Sequence, residues 1–111
     1  MVACNTATAH AIEALRARWP RVPFVGTEPG IKPAVSATRN GRIGVLATAA
    51  AAASSRYHSL VARHGQGAEV FTQACPSVVD LIEAGQLDAP ELRELVQRYA
   101  APLREAQVDT V

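Results

Sequence analysis

Short apolar runs alternate along this chain with longer stretches whose apolar residues recur every three or four positions, and this alternation limits the fold more than any other feature. The runs at 2–4, 22–25, 42–48, 69–74 and 108–111 have strand length. Between them, Ala9, Ile12, Leu15 and Trp19 mark one helical face, and Leu92, Leu95, Val96, Tyr99 and Leu103 mark another. Strands that alternate with helices build a parallel sheet with helices on its faces. The predicted class is therefore α/β.

Turn and cap residues set the boundaries. Pro20 stops the first helix, and the Gly/Pro-rich stretch at 26–33 is the best candidate for a domain boundary. Asn40-Gly41 leads into the strand at 42–48. Thr48 is placed to cap a helix reaching about residue 64, with Tyr57, Leu60 and Val61 inward and Gly65 and Gly67 ending it. Pro76 suits the first turn of a short helix with Val78, Val79 and Ile82 inward, closed by Gly85. Asp88, Pro90 and Glu91 resemble a capping box, and Pro102 is expected to kink or end the helix that follows.

With 111 residues, 49% hydrophobic and 19% charged, the composition is that of an ordinary globular domain able to bury a core. A net charge of +1, with ten arginines and one lysine scattered among acids, gives no footprint for nucleic acid or a membrane surface. The apolar run at 43–53 falls short of the roughly 20 residues a membrane helix needs, and no basic leader opens the sequence. Two cysteines, Cys4 and Cys75, give neither a disulfide framework nor zinc-ligand spacing. Free thiols fit a reducing compartment, and the expected location is the cytoplasm.

Chemistry concentrates at V-A-C-N-T-A-T. Cys4 falls where a strand runs into a helix, the position at which open α/β sheets bind ligands. The positive end of the helix dipole favours a thiolate there, lowering a thiol whose ordinary pKa is about 8.5 towards neutrality. Asn5 and Thr6 add donors for a carboxylate. Taken locally, a small buried cysteine at the end of a core strand is the commoner explanation of Cys4, since free cysteines are commonly buried. Cys75 before Pro76 reads as structural, and Lys32, the only candidate Schiff-base partner for pyridoxal phosphate, as a loop residue without a phosphate-binding signature. His10, His58 and His64 fall on predicted helices, six or more residues apart, as surface or boundary residues. Gly26 and Gly30 lack the strand–turn–helix setting of a nucleotide fingerprint.

Four segments in order, A-C-N-T-A-T, V-P-F-V-G-T-E-P-G-I-K-P-A, R-I-G-V-L-A-T and C-P-S-V-V-D-L-I-E-A-G, resemble the glutamate racemases across essentially the whole chain. These are similar in turn to the aspartate and hydantoin racemases. The resemblance implies a parallel, flavodoxin-like sheet with flanking helices, spanning parts of two similar domains: residues 1–28 close the first and residues 29–111 form an incomplete second. It implies two-cysteine transfer of the substrate α-proton without a cofactor, interconverting L- and D-glutamate for peptidoglycan. Cys4 becomes the first-domain base, Asn5, Thr6 and Thr48 become substrate contacts, and Glu83 becomes an acid supporting the catalytic groups. No metal and no macromolecular partner is implied, and a homodimer of the full-length enzyme stays open.

The chain also departs from the pattern. The aspartate-serine motif expected before Val2 and the G-C-T-H motif, with the second cysteine, expected after V-D-T-V are not among these residues. Ala51 stands near a usual threonine, and Gly30 where alanine is frequent. The expectation is therefore an internal fragment carrying half the active site, inactive alone and prone to aggregate through an unpaired sheet edge. The alternatives are a non-catalytic truncated product, a pseudo-enzyme binding a small carboxylate, and a racemase of aspartate or a hydantoin.

Overall fold

The computed structural model describes residues 1–111. Its elements are α1 (Asn5–Arg18), α2 (Ile31–Ala37), β1 (Arg42–Ala47), α3 (Ala49–Ala52), α4 (Ser55–His64), β2 (Glu69–Ala74), α5 (Val78–Glu83) and α6 (Pro90–Glu105). β1 and β2 run parallel, in register from Arg42 opposite Glu69 to Ala47 opposite Ala74, with α3 and α4 as the crossover. On the opposite edge of β1, Thr110 forms a parallel bridge with Ile43, and the Gly44 N–H donates to the Thr110 carbonyl at 2.8 Å. The expected α/β class with parallel pairing is what the chain adopts.

Strand alternation sends β1 residues to two faces. Ile43 faces α2 and α4, where it forms the core with Ile31, Tyr57 and Leu60, flanked by Val45, Val61 and Val70. Burying each aliphatic side chain of this kind contributes about 1.5–3 kcal/mol. Gly44 faces the other way, and a Cβ there would stand 2.9 Å from Leu103 Cδ1 and 3.2 Å from Val108 Cγ1. The missing side chain is what lets α6 and the final segment lie close on this face.

α1 packs on the N-terminal stub and on Gly26. Val2 bridges Gly26 in parallel, with its N–H on the Val25 carbonyl at 2.7 Å. Thr8 is fully buried; its hydroxyl donates to the Val2 carbonyl at 3.3 Å and accepts from the Thr27 N–H at 3.2 Å. A Cβ on Gly26 would meet Thr8 Cγ2 at 2.4 Å, so glycine is what allows α1 this approach. The whole chain is flat, 46 × 38 × 20 Å, with a radius of gyration of 15.5 Å. A compact domain of this length would have about 13 Å. The flattened outline accounts for the excess. No helix is long and apolar enough to cross a membrane.

Several local expectations are corrected. Residues 22–25 form no strand; a single bridge at Gly26 is all the pairing there. The connection at 26–33 is shorter than expected because α2 begins at Ile31, and Pro33 is tolerated in its first turn, where no N–H partner is needed. The helix expected from Thr48 to about residue 64 is broken at Ser54, whose hydroxyl donates to the Ala51 carbonyl at 2.8 Å while accepting from the Tyr57 N–H at 3.1 Å. One side chain thus ends α3 and caps α4. Asp88 caps nothing: the N-cap of α6 is Ala89, without a side-chain bond. Pro102 does not end α6, which runs on to Glu105; it sits near the helix terminus, where only one bond is lost. Val79, Ile82 and Val96, expected inward, are substantially exposed, because α5 and α6 pack at the margin of the sheet, and Trp19 is exposed at the C-cap of α1.

Helix ends obey one rule with different residues. After α5, Gly85 takes a left-handed φ of 71°, with the Gln86 N–H on the Leu81 carbonyl and the Gly85 N–H on the Ile82 carbonyl. After α6, Gln107 takes the same role at φ 55°, with the Val108 N–H on the Leu103 carbonyl at 3.0 Å and its own N–H on the Arg104 carbonyl at 2.9 Å. A side chain in this conformation costs roughly 1–2 kcal/mol that glycine avoids. Gln107→Gly is therefore expected to stabilise the chain by about 1 kcal/mol, offset in part by the added freedom of the unfolded state. A rise in the urea midpoint checks it; an unchanged or lower midpoint counts against the assignment.

Candidate active site

The carboxyl ends of β1 and β2 open into a cleft of about 770 Å³. Its walls are mostly apolar, from Ile31 and Pro33 of α2 to Val79 of α5 and Tyr99 of α6. Cys4, Asn5, Thr6 and Thr48 supply polar groups to the lining, beside the hydroxyl residues Tyr57, Tyr99 and Thr110. An apolar pocket with a few convergent polar groups is the usual form of a small-molecule site.

Each of these side chains is held by local backbone chemistry. Cys4 is the N-cap of α1 in an extended conformation, with the Ala7 N–H directed at its Sγ at 3.5 Å. Asn5 and Thr6 occupy the first turn of the same helix, where backbone N–H groups lack helical partners. The thiol itself is exposed, unlike the buried core cysteine that the local pattern also allowed. Across the cleft, Thr48 is the N-cap of α3 and accepts from the Ala51 N–H at 3.1 Å. Thr6 and Thr48 meet, Oγ1 to Oγ1, at 3.0 Å. Residues 42 positions apart are thereby joined at the head of the cleft. A carboxylate arriving here would find hydroxyl, amide and helix N-terminal donors beside a thiol.

Cys75 lines the same cleft in a different state. It is buried, its N–H donates to the Ala47 carbonyl at 2.8 Å, and its thiol donates to the Gln73 carbonyl at 3.4 Å. Burial pushes this thiol above its ordinary range, against the lowering effect of the backbone hydrogen bond. A thiol held protonated cannot start a proton abstraction.

The structure leaves the other singled-out residues apart from the cleft. Glu83 is exposed in the last turn of α5 and does not line it. Lys32 is exposed on α2, and His10 and His58 are exposed on α1 and α4, His10 with its ring nitrogen 2.8 Å from the Thr6 carbonyl. His64 lies half-buried in the last turn of α4. No three potential metal ligands converge anywhere in the chain.

Two lining or supporting residues had no sequence signal as such. Tyr57, expected only as core, also reaches the cleft and bonds the Thr72 hydroxyl. Asp109 anchors the strand end that brings Thr110 and Val111 to the cleft. Its carboxylate accepts from the Thr38 hydroxyl at 2.5 Å and from the Arg39 and Asn40 N–H groups at 2.8 and 3.0 Å. A lone acid inside the apolar V-D-T-V run was the available hint.

The sequence matches the Asp/Glu/Hydantoin racemase family over residues 1–111. The chain belongs to this family. It is 50% identical to a glutamate racemase of Pseudomonas aeruginosa over 100% of the chain and 42% of that protein. It is also 50% identical to a glutamate racemase of Herpetosiphon aurantiacus, covering 100% of the chain and 43% of that protein. Among solved structures, Escherichia coli glutamate racemase in complex with L-glutamate and the activator UDP-MurNAc-Ala superposes with a TM-score of 0.76 at 33% identity, over 89% of this chain and 37% of that one. The chain thus spans less than half the length of the relatives it matches. The match is continuous through A-C-N-T, L-A-T and the C-P segment, so the residues around the cleft of this racemase-family chain lie inside it.

The Asp109 anchor has a pH signature. Thr38, the largest cause, together with the Arg39 and Asn40 N–H groups, holds the carboxyl at about 2 against an ordinary 3.8. Because the folded value is depressed, the stabilisation is fully present above the ordinary value and is lost as pH falls from there towards about 2. Wild type should therefore exceed Asp109→Asn in urea midpoint at pH near 6, and the gap should close towards about pH 2. A gap that persists at low pH would mean the carboxylate charge is not what anchors the strand.

Proposed function

We propose that these residues supply one proton-transfer base and part of the substrate pocket of a cofactor-independent glutamate racemase. The observation that carries the reading is the Thr6–Thr48 hydrogen bond at 3.0 Å, which draws the A-C-N-T and L-A-T segments to one end of a single cleft. In this reading residues 1–28 belong to one racemase domain and residues 29–111 to a second.

The chemistry runs as follows. The α-carboxylate of glutamate is held by Asn5, Thr6 and Thr48 with the free N–H groups at the start of α1. This sets the Cα–H against Cys4 Sγ, which takes the proton as a thiolate. Negative charge developing at Cα and the carboxylate is met by donors already fixed in place. A proton returned to the opposite face inverts the centre; the resemblance gives that step to a second cysteine. Glu83 is part of the same reading only as a distant support, since it stands outside the cleft. The product, D-glutamate, serves peptidoglycan synthesis in the cytoplasm, and a homodimer of the longer protein belongs to the same reading.

One specific observation favours a second reading. The donors for a carboxylate are complete here, whereas only one exposed thiol faces the cleft. A chain with these features could bind a small carboxylate without inverting it.

The test is exchange of the substrate α-proton in deuterium oxide, followed by proton NMR with L-glutamate and L-aspartate. In the longer protein that carries the second cysteine, wild type should exchange glutamate in preference to aspartate. Cys4→Ser should slow exchange by about 10²–10⁴-fold, the usual contribution of a positioned base. Cys75→Ser should leave exchange near wild type. Binding of L-glutamate without exchange would establish the carboxylate-binding reading, and loss of activity in Cys75→Ser alone would reassign the base.

A further inference from the structure

The two units on either side of the cleft share few polar links. Between residues 1–28 and 29–111, the side-chain hydrogen bonds are Thr6 to Thr48 and two from a single residue, Arg56. Arg56 stands near the start of α4, one position before Tyr57 of the cleft wall. Its Nη1 donates to Glu13 Oε1 on α1 at 3.2 Å, and its Nη2 donates to Glu28 Oε1 at 2.6 Å. Glu13 Oε1 also accepts from Arg16 at 3.2 Å, and Arg16 reaches on to the Phe24 carbonyl at 3.2 Å. Charges therefore alternate along Arg16, Glu13, Arg56 and Glu28. An isolated exposed pair contributes about 0–1 kcal/mol, but a network around one planar guanidinium fork fixes direction as well as distance. The Arg56 side chain is only 32% exposed, and its Nε is shut away from solvent without a partner. The fork is thus pressed into the junction and does not wave above it.

We propose that Arg56 is a positioning residue for the cleft: by clamping Glu13 and Glu28 it sets the distance between the Cys4–Thr6 turn and Thr48. It touches no substrate. It acts on α1 through Glu13, eight residues from Asn5 along the same rigid helix. An error of about 1 Å in such a constellation can cost up to ~100-fold in rate. The proposal deepens the racemase reading and rests on it for the kinetic arm only.

Two readouts separate the ideas, amide exchange on the 111-residue chain and kinetics on the longer protein. The first is amide hydrogen exchange. Arg56→Gln should lose protection at residues 5–8 and 48–52 while β1, β2 and the later turns of α4 keep theirs. Raising salt to about 0.5 M should reproduce that loss in wild type and change the variant little. The second is L-glutamate affinity and α-proton exchange, both expected to fall about tenfold or more in Arg56→Gln, with Arg56→Lys intermediate because an ammonium serves one carboxylate at a time. In a double-mutant cycle with Glu28→Gln, the double variant should match Arg56→Gln alone. Unchanged protection in Arg56→Gln, or additive effects in the cycle, would overturn the clamp. Protection that responds as expected in a longer protein that never binds glutamate would keep the clamp and remove the racemase reading.

Discussion

β1 is the element on which the cleft depends. Its backbone pairs in parallel with β2 on one edge and with Thr110 on the other, and its two faces meet different partners. Ile43 is sealed by α2 and α4, while Gly44 gives α6 and the last residues room to close in. Where β1 ends, Ala47 accepts the Cys75 N–H and Thr48 turns the chain into α3. The position of Thr48 is therefore a consequence of strand pairing and core packing, not of loop conformation. A catalytic constellation hung from a strand end inherits the rigidity of the sheet, which is why open α/β folds place sites there.

The other wall of the cleft is organised by a separate small unit, in which α1 lies on Gly26 through the buried Thr8 side chain. Cys4, Asn5 and Thr6 are thus fixed relative to α1, and α1 relative to residues 2 and 25–27, without help from the sheet. α1 meets the rest of the chain through the alanines of α3, with Ala51 buried, and through the Thr6–Thr48 hydroxyl pair and the Arg56 ion pairs.

Much of this was legible in the sequence, for stated reasons. Strand and helix alternation revealed the α/β class because burial periodicity is a property of single segments. Gly85 and the A-C-N-T junction were legible because their chemistry is local to a few residues. The misreadings share a cause: each was decided by a partner distant in sequence or by one side chain's choice of bond. Ser54 splits a continuous helical pattern by taking two backbone partners at once. Residues 22–25 have strand composition, yet only Val2 is available beside them. Gln107 occupies a position that composition reserves for glycine, and the packing of Leu103 and Val108 over Gly44 overrides that preference. Asp109 and Arg56 were invisible as supports because their partners lie up to 71 and 43 residues away. The Thr6–Thr48 contact was foreseen only as two roles assigned by resemblance; that they touch is a fact of the fold.

The two cysteines show how position, not residue type, sets chemical capacity. Both thiols border one cleft, and the sequence alone left each a buried alternative. Cys75 follows a core strand directly, so its side chain is spent on the Gln73 carbonyl and burial favours the neutral thiol. Cys4 is the N-cap of α1, and its exposed sulfur accepts a backbone N–H. A thiol that accepts can carry negative charge; a thiol that donates has already committed its proton. Proton abstraction needs the first kind, and the cleft presents it beside the donors that a carboxylate requires. In the proposed reading, the move from a strand–loop exit to a helix N-cap separates the structural thiol from the one that meets substrate.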